Sequence, residues 1–317
     1  INYLDRNFDE ACGFFVKAAA DSRFTKMSSY YLLESKFLSG DHYYVVANGD
    51  SVYDSVDEDM KPNVARILSE SHFSLGDAAR ARKYMDIYES SATSLSRKDH
   101  YYSAQLAYSL ESFPRAIQSF SKVVGEDDSL SQSAHYYRAN SYLRTGNKLA
   151  AMDDFKAASG VFYDTVVTED AMFNFAKLSF DVNSDITQFE KYLDRYPSGG
   201  RADIIHNYMA TAFLDRKDYG TAVTLLTRIS DPGPEVTSNL QKAAFFRAMQ
   251  LAEGGSWRSA APVFELSASN GAGNPAFAAL ARFWEAECLF RDINPEAWFA
   301  SAKNPLVMFE KTNYERF

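Results

Sequence analysis

An alanine followed four residues later by phenylalanine recurs at Ala11/Phe15, Ala116/Phe120, Ala151/Phe155 and Ala260/Phe264. Steps of 35 residues from Ala11 reach Val46, Ala81, Ala116 and Ala151. Beyond Ala151 the period drifts by a few residues to Ala222, Ala260 and Ala297, and the fifth step falls near Ile186. A self-similar period in the thirties specifies a solenoid whose units bury their apolar faces only against their neighbours. Such an array grows by addition, so a length of 317 residues does not imply two globular domains. It exposes one long surface, which points to binding other molecules.

Chain breakers between the marks fall into two alternating sets, as a string of helical hairpins requires. Tight turns within hairpins are expected at Gly40-Asp41, Gly76-Asp77, Phe113-Pro114, Gly146-Asn147, Lys217-Asp218, Gly254-Gly255 and Asn294-Pro295. Looser connections between hairpins are expected at Asp59-Met60-Lys61-Pro62, Asp127-Asp128-Ser129, Tyr196-Pro197-Ser198-Gly199, Asp231-Pro232-Gly233-Pro234 and the glycine-rich stretch from Asn270 to Pro275. The intervening segments carry helical periodicity, as in Ala202, Ile205, Met209, Ala212 and Phe213. Strand alternation is absent. A small residue at the repeated alanine site lets two helices approach closely, and the aromatic one turn later fills the groove between them.

Ala139, Tyr142, Gly146, Ala151, Phe155 and Ala158 resemble one unit of the tetratricopeptide repeat family. Ala210, Phe213, Tyr219, Ala222 and Leu226 resemble a second, and Gly255, Trp257, Ala260 and Phe264 a third. The unit around Val46 departs most, because Asp50 stands where the aromatic belongs. The resemblance covers residues 1–304 and implies an all-α fold, a superhelical solenoid of about eight complete hairpins plus a truncated first one. Residues 305–317 are expected to cap its apolar end.

The net charge of −9 repels phosphate backbones and anionic lipid, which argues against nucleic acid as a partner. No run of eighteen apolar residues occurs, so no spanning helix is expected, and Ile1 opens no secretory leader. Cys12 and Cys288 stand at opposite ends of the array and read as free, buried thiols. His100, His135 and His206 occupy one point of three repeats. Helix packing distances of roughly 8–10 Å would hold their rings too far apart to share a metal, so they read as structural imidazoles. No nucleophile elbow, phosphate loop or metalloprotease helix is present. Gly271-Ala272-Gly273 follows no strand and reads as a connection, not a dinucleotide fingerprint. Neither catalytic residues nor a cofactor is expected.

In the family the resemblance points to, the first helices of the hairpins line a concave groove. Carried onto this chain, it implies groove positions Arg66 and Glu70; Tyr101, Gln105 and Tyr108; Tyr136, Asn140 and Arg144; Asn207 and Thr211; and Phe245 and Met249. Aromatics, arginine and amides supply contact area together with hydrogen bonds, as peptide-binding surfaces require. Some members hold a partner's terminal carboxylate in a lysine and asparagine clamp; the equivalent points here keep amides but lack the lysines. Phe189 to Ser198 is similar to a helix ending in bacterial cell-envelope members, which tilts the expected location toward the periplasm or outer membrane. The leading expectation is a non-enzymatic scaffold that holds a peptide or partner helix. A spacer between domains of a longer protein and a carbohydrate-binding or hydrolytic helical toroid are the alternatives.

Overall fold

A computed structural model describes residues 1–270 and 274–292. Sixteen helices and no strand occur among the described residues. The chain divides into two units, Ile1–Leu178 and Ser179–Phe317. The first holds α1 (Phe8–Ala18) and four hairpins: α2 (Thr25–Leu38) with α3 (His42–Ser55), α4 (Lys61–Ser74) with α5 (Ala78–Ser91), α6 (Arg97–Ser109) with α7 (Phe113–Phe120), and α8 (Ser129–Arg144) with α9 (Lys148–Ser159). Most of α10 (Thr165–Asn183) completes it. The second unit holds α11 (Thr187–Arg195), the hairpin α12 (Gly200–Asp215) with α13 (Tyr219–Leu226), the hairpin α14 (Pro234–Glu253) with α15 (Trp257–Ser269), and α16 (Pro275–Arg291). The expected turn at Asn294-Pro295, the repeat mark at Ala297, the glycines 271–273 and the capping segment 305–317 lie outside the described residues.

Each hairpin turn places one residue in the left-handed region and then caps the second helix. Gly40, Gly76, Gly146 and Gly255 hold φ between 75° and 83°, a conformation free of penalty only without a Cβ. The next residue then supplies the cap. Asp41, Asp77 and Asn147 accept hydrogen bonds from the amides of Tyr44, Arg80 and Ala150. Glu111, Ser184 and Lys217 take the left-handed place elsewhere, at φ 56°, 53° and 61°. Phe113-Pro114 is therefore not the third turn. Glu111-Ser112 turns the chain, and Pro114 sits in the first turn of α7, where its missing N–H would have no helical partner anyway.

Counting from these caps corrects the register of the weakest repeat. Ala81, Ala116, Ala151, Ala222 and Ala260 each stand four residues after the cap and are wholly buried. In α3 that place belongs to Val45, not Val46, and the aromatic place four residues later belongs to Gly49, not Asp50. Val45 is fully buried, and a Cβ on Gly49 would lie 2.4 Å from Cδ2 of Leu68. A leucine from α4 thus fills the volume that Phe120, Phe155 and Phe264 fill in their own hairpins, and α3 is as long as its counterparts. In α11 the apolar places belong to Phe189 and Tyr192, while Ile186 is only the cap.

A second periodic device joins one hairpin to the next. Fourteen residues before the left-handed turn residue, the first helix carries a side chain that reaches the connection leading to the following hairpin. Lys26 binds Asp57 at 2.6 Å; the Arg97 guanidinium donates to the Val123 carbonyl at 2.5 Å and to Asp128. The Gln132 amide nitrogen lies 3.2, 3.1 and 3.3 Å from the carbonyls of Ala158, Val161 and Asp164, which share its two N–H groups, and its oxygen accepts from the Asp164 amide at 2.8 Å. In the second unit Asp203 accepts from the Ser230 amide, and Gln241 donates to the Asn274 carbonyl at 2.9 Å. Except for Lys26, whose partner is a side chain, these latches satisfy backbone groups that irregular connections would otherwise leave unpaired. In α4 the place belongs to Pro62, whose side chain has no polar atom.

Candidate functional site

Helices α2, α4, α6, α8 and α10 of the first unit repeat two side-chain positions one turn apart, and these form a ladder of polar rungs. Tyr30 donates to Glu34 at 3.2 Å, and Tyr3 donates to the same carboxylate at 2.7 Å. In α4 the rung is the ion pair Arg66–Glu70 at 2.8 Å, with the guanidinium also 5.8 Å from the Phe37 ring centre. In α6 the Gln105 amide donates to the Tyr101 hydroxyl at 2.9 Å. In α8 Asn140 bonds the Tyr136 carbonyl at 3.0 Å, while the Tyr136 hydroxyl donates to Asp170 of α10 at 2.7 Å. Spacing by one helical turn puts each pair on one face of its helix.

Burial decides what the rungs can offer. Glu70 is 9% exposed, and burial pushes its carboxyl above the usual range although Arg66 opposes the shift. The pair is largely buried, and a single bond joins Arg66 Nη1 to Glu70 Oε1. Tyr101 packs edge-on against Phe120, and Tyr108 against both Phe113 and Tyr137, so these rings are shared between the core and the face. Burial, then the neighbouring Asp170, holds the Tyr136 hydroxyl well above the ordinary phenol range. Burial does the same for Tyr101. Both remain neutral hydrogen-bonding groups at physiological pH. Arg144 is the most open, with its side chain 60% exposed, a loose 3.7 Å approach to Glu111 and the Phe113 ring beneath it.

The positions carried onto the second unit differ. Phe245 is 6% exposed and packs against Phe264 and Phe277 in the core of α14–α16, which leaves it little surface to present. Met249 borders the same core. Thr211 is exposed and bonds the Asn207 carbonyl at 2.9 Å, whereas the side-chain oxygen of Asn207 is buried with no hydrogen-bond partner.

The histidines are dispersed. His135 contacts Asp154 at 2.8 Å, beside two Arg138 bonds to the same carboxylate at 2.6 and 2.7 Å. His206 is buried with Nδ1 unbonded, and His100 lines a cavity near Arg115. No group of three potential metal ligands stands together among the described residues. Cys12 and Cys288 are free and buried, and burial pushes the Cys288 thiol up to about 11. At the end of α11 Tyr192 packs 5.1 Å from Tyr196 across the helix terminus, a local reason for the Tyr-Pro ending. No described helix is long and apolar enough to cross a membrane.

Sequence reading missed the cross-hairpin bond from Tyr136 to Asp170, because its two ends lie 34 residues apart on different helices. It also missed the latches, although a fixed offset from each turn residue was there to be found.

Residues 101–160, which span α6 to α9, match the tetratricopeptide repeat family model. No curated protein matches the chain. Among solved structures, a tetratricopeptide repeat protein from Parabacteroides merdae is 15% identical, with 86% of this chain and 98% of that chain aligned at a TM-score of 0.40. A signal transduction ATPase with numerous domains and a tetratricopeptide repeat sensor, from Pyrococcus horikoshii, is 10% identical over 96% of this chain and 51% of its own, at 0.37. The APC/C hetero-tetramer Cut9-Hcn1 is 14% identical over 94% and 71%, at 0.32. Scores this low leave the assignment to the family match and the hairpin geometry.

Proposed function

We propose that the ladder face of α6 and α8 holds an extended peptide or a partner's helix, the protein–protein interaction that tetratricopeptide repeats, matched here over residues 101–160, generally mediate. The carrying observation is that Tyr101 with Gln105 and Tyr136 with Asn140 repeat one pair of positions a turn apart on successive hairpins, partly buried, with Arg144 open at the end. Aromatic rings held by packing, neutral hydroxyls, amides and one available guanidinium suit recognition of peptide backbone and side chains at little entropic cost. The reading is of a binding scaffold with no chemistry of its own.

The internal pairing of Arg66 with Glu70 favours a second reading, in which the repeats serve mainly as a spacer and the polar rungs hold hairpins together. A displayed random-peptide library selected on the full chain separates the two. Under the scaffold reading, recovered peptides lose binding to the triple variant Gln105→Ala, Asn140→Ala, Arg144→Ala, whose far-ultraviolet circular dichroism stays unchanged. Recovery of no reproducible peptide supports the spacer, and undiminished binding to the variant moves the site elsewhere. These three side chains suit the test because none is a core ring.

A further inference from the structure

We propose that the first unit pivots at residues 92–96, between the hairpin α4/α5 and the hairpin α6/α7. The connection before it, 56–60, is crossed by the exposed ion pair Lys26–Asp57, and the one after it, 121–128, is latched at its backbone by Arg97. Its own latch place is Pro62, which can neither donate nor accept through its side chain. Among the described residues no side chain of α4 bonds residues 92–96, whereas in the next connection Arg97 donates to the Val123 carbonyl and to Asp128. Helix α6 also packs against α5 less extensively than α4 packs against α3, or α8 against α7.

What does span the joint is mainly ionic and peripheral. Arg115 of α7 reaches back to Asp86 and Glu89 of α5, at 2.6 Å each, and the Ser103 hydroxyl of α6 donates to Glu89. Leu106, 1% exposed, is the one α6 residue buried in the core built by α2 to α5. A cavity of about 630 Å³, bordered by Leu95, His100, Pro114 and Arg115, lies open beside these contacts. Leu106 as the one buried α6 anchor, Ala92 and Leu95 only partly buried on the same core, ion pairs to one side and space behind make the geometry of a hinge, because ion pairs exchange with water at low net cost while backbone latches do not. The pivot lies between Glu70 and Tyr101, so it would set the spacing between two rungs of the ladder. It stands whether or not that face binds a peptide.

Double electron–electron resonance on the full chain tests it, with both native cysteines replaced by alanine. Spin labels at Ala47→Cys and Lys156→Cys span the joint, and labels at Ser109→Cys and Lys156→Cys span only a latched connection. The first pair should give the broader distance distribution. Pro62→Gln should narrow it toward the control width by restoring a latch, and Arg115→Ala should broaden it further, with the control pair unchanged in both. Equal widths for the two pairs overturn the proposal. A broad first distribution that neither variant alters overturns it as well, since the joint would then owe nothing to the absent latch or the ion pairs.

Discussion

Gly49 shows how a single residue is decided by a neighbour distant in sequence. In a helix interior glycine costs roughly 1 kcal/mol relative to alanine, yet here a Cβ would strike buried Leu68 at 2.4 Å. Gly49→Ala is therefore expected to destabilise by about 1–2 kcal/mol through overpacking. In a Leu68→Ala background, with the space vacated, the same change should stabilise instead. Urea melts of the four proteins check the reversal of sign. Asp154 is a second such case: it is 4% exposed, and although burial raises its pKa, bonds from Arg138 and His135 outweigh that and hold the carboxyl below its usual range. A depressed carboxyl binds fewer protons folded than unfolded, so its contribution is complete above about pH 4 and is lost as pH falls through the folded value. Asp154→Asn should cost about 3 kcal/mol at neutral pH by leaving Arg138 without its charge partner. Its stability should then fall less steeply with acid than the wild type's, measured by urea melts between neutral pH and the acid limb.

Among the elements, the hairpins and their connections owe their order to different interactions. Within a hairpin, a left-handed residue and a capping side chain define the turn locally. Between hairpins, local caps such as Ser96 and Asp128 start the next helix, but the irregular backbone ahead of them depends on a side chain from the preceding first helix. Gln132, 1% exposed, shares its two N–H groups among the nearby carbonyls and accepts from the Asp164 amide. Gln132→Ala is expected to destabilise by about 3 kcal/mol, since each buried polar group left unpaired costs about 1–3 kcal/mol. Thr168, which also bonds the Val161 and Asp164 carbonyls, limits the loss. The connection 92–96 lacks any equivalent, and so becomes the place where motion concentrates.

For the molecule as a whole, an array in which each unit touches only its neighbours should respond to damage locally. Hydrogen exchange in the Gln132→Ala protein should accelerate in α8, α9 and α10 and leave the amides of α2 and α3 near their wild-type rates. Uniform acceleration through the first unit would show it to be one cooperative block instead. The ladder face follows the same logic: most rung bonds lie within one helix, Tyr136 to Asp170 ties α8 to α10, and Tyr3, ahead of α1, donates to Glu34 of α2.

The repeat period, the helical character, the turn chemistry at Gly40, Gly76 and Gly146, and the apolar places at Ala116/Phe120 and Ala151/Phe155 were all determined by the sequence itself, because these depend on spacing within one or two helical turns. Tertiary structure alone decided that Gly49 takes the second repeat's aromatic place with Leu68 filling it, and that Phe245 is core against Phe277. Each of those depends on which side chain from another helix occupies the adjoining volume, and a periodic pattern carries no record of that neighbour.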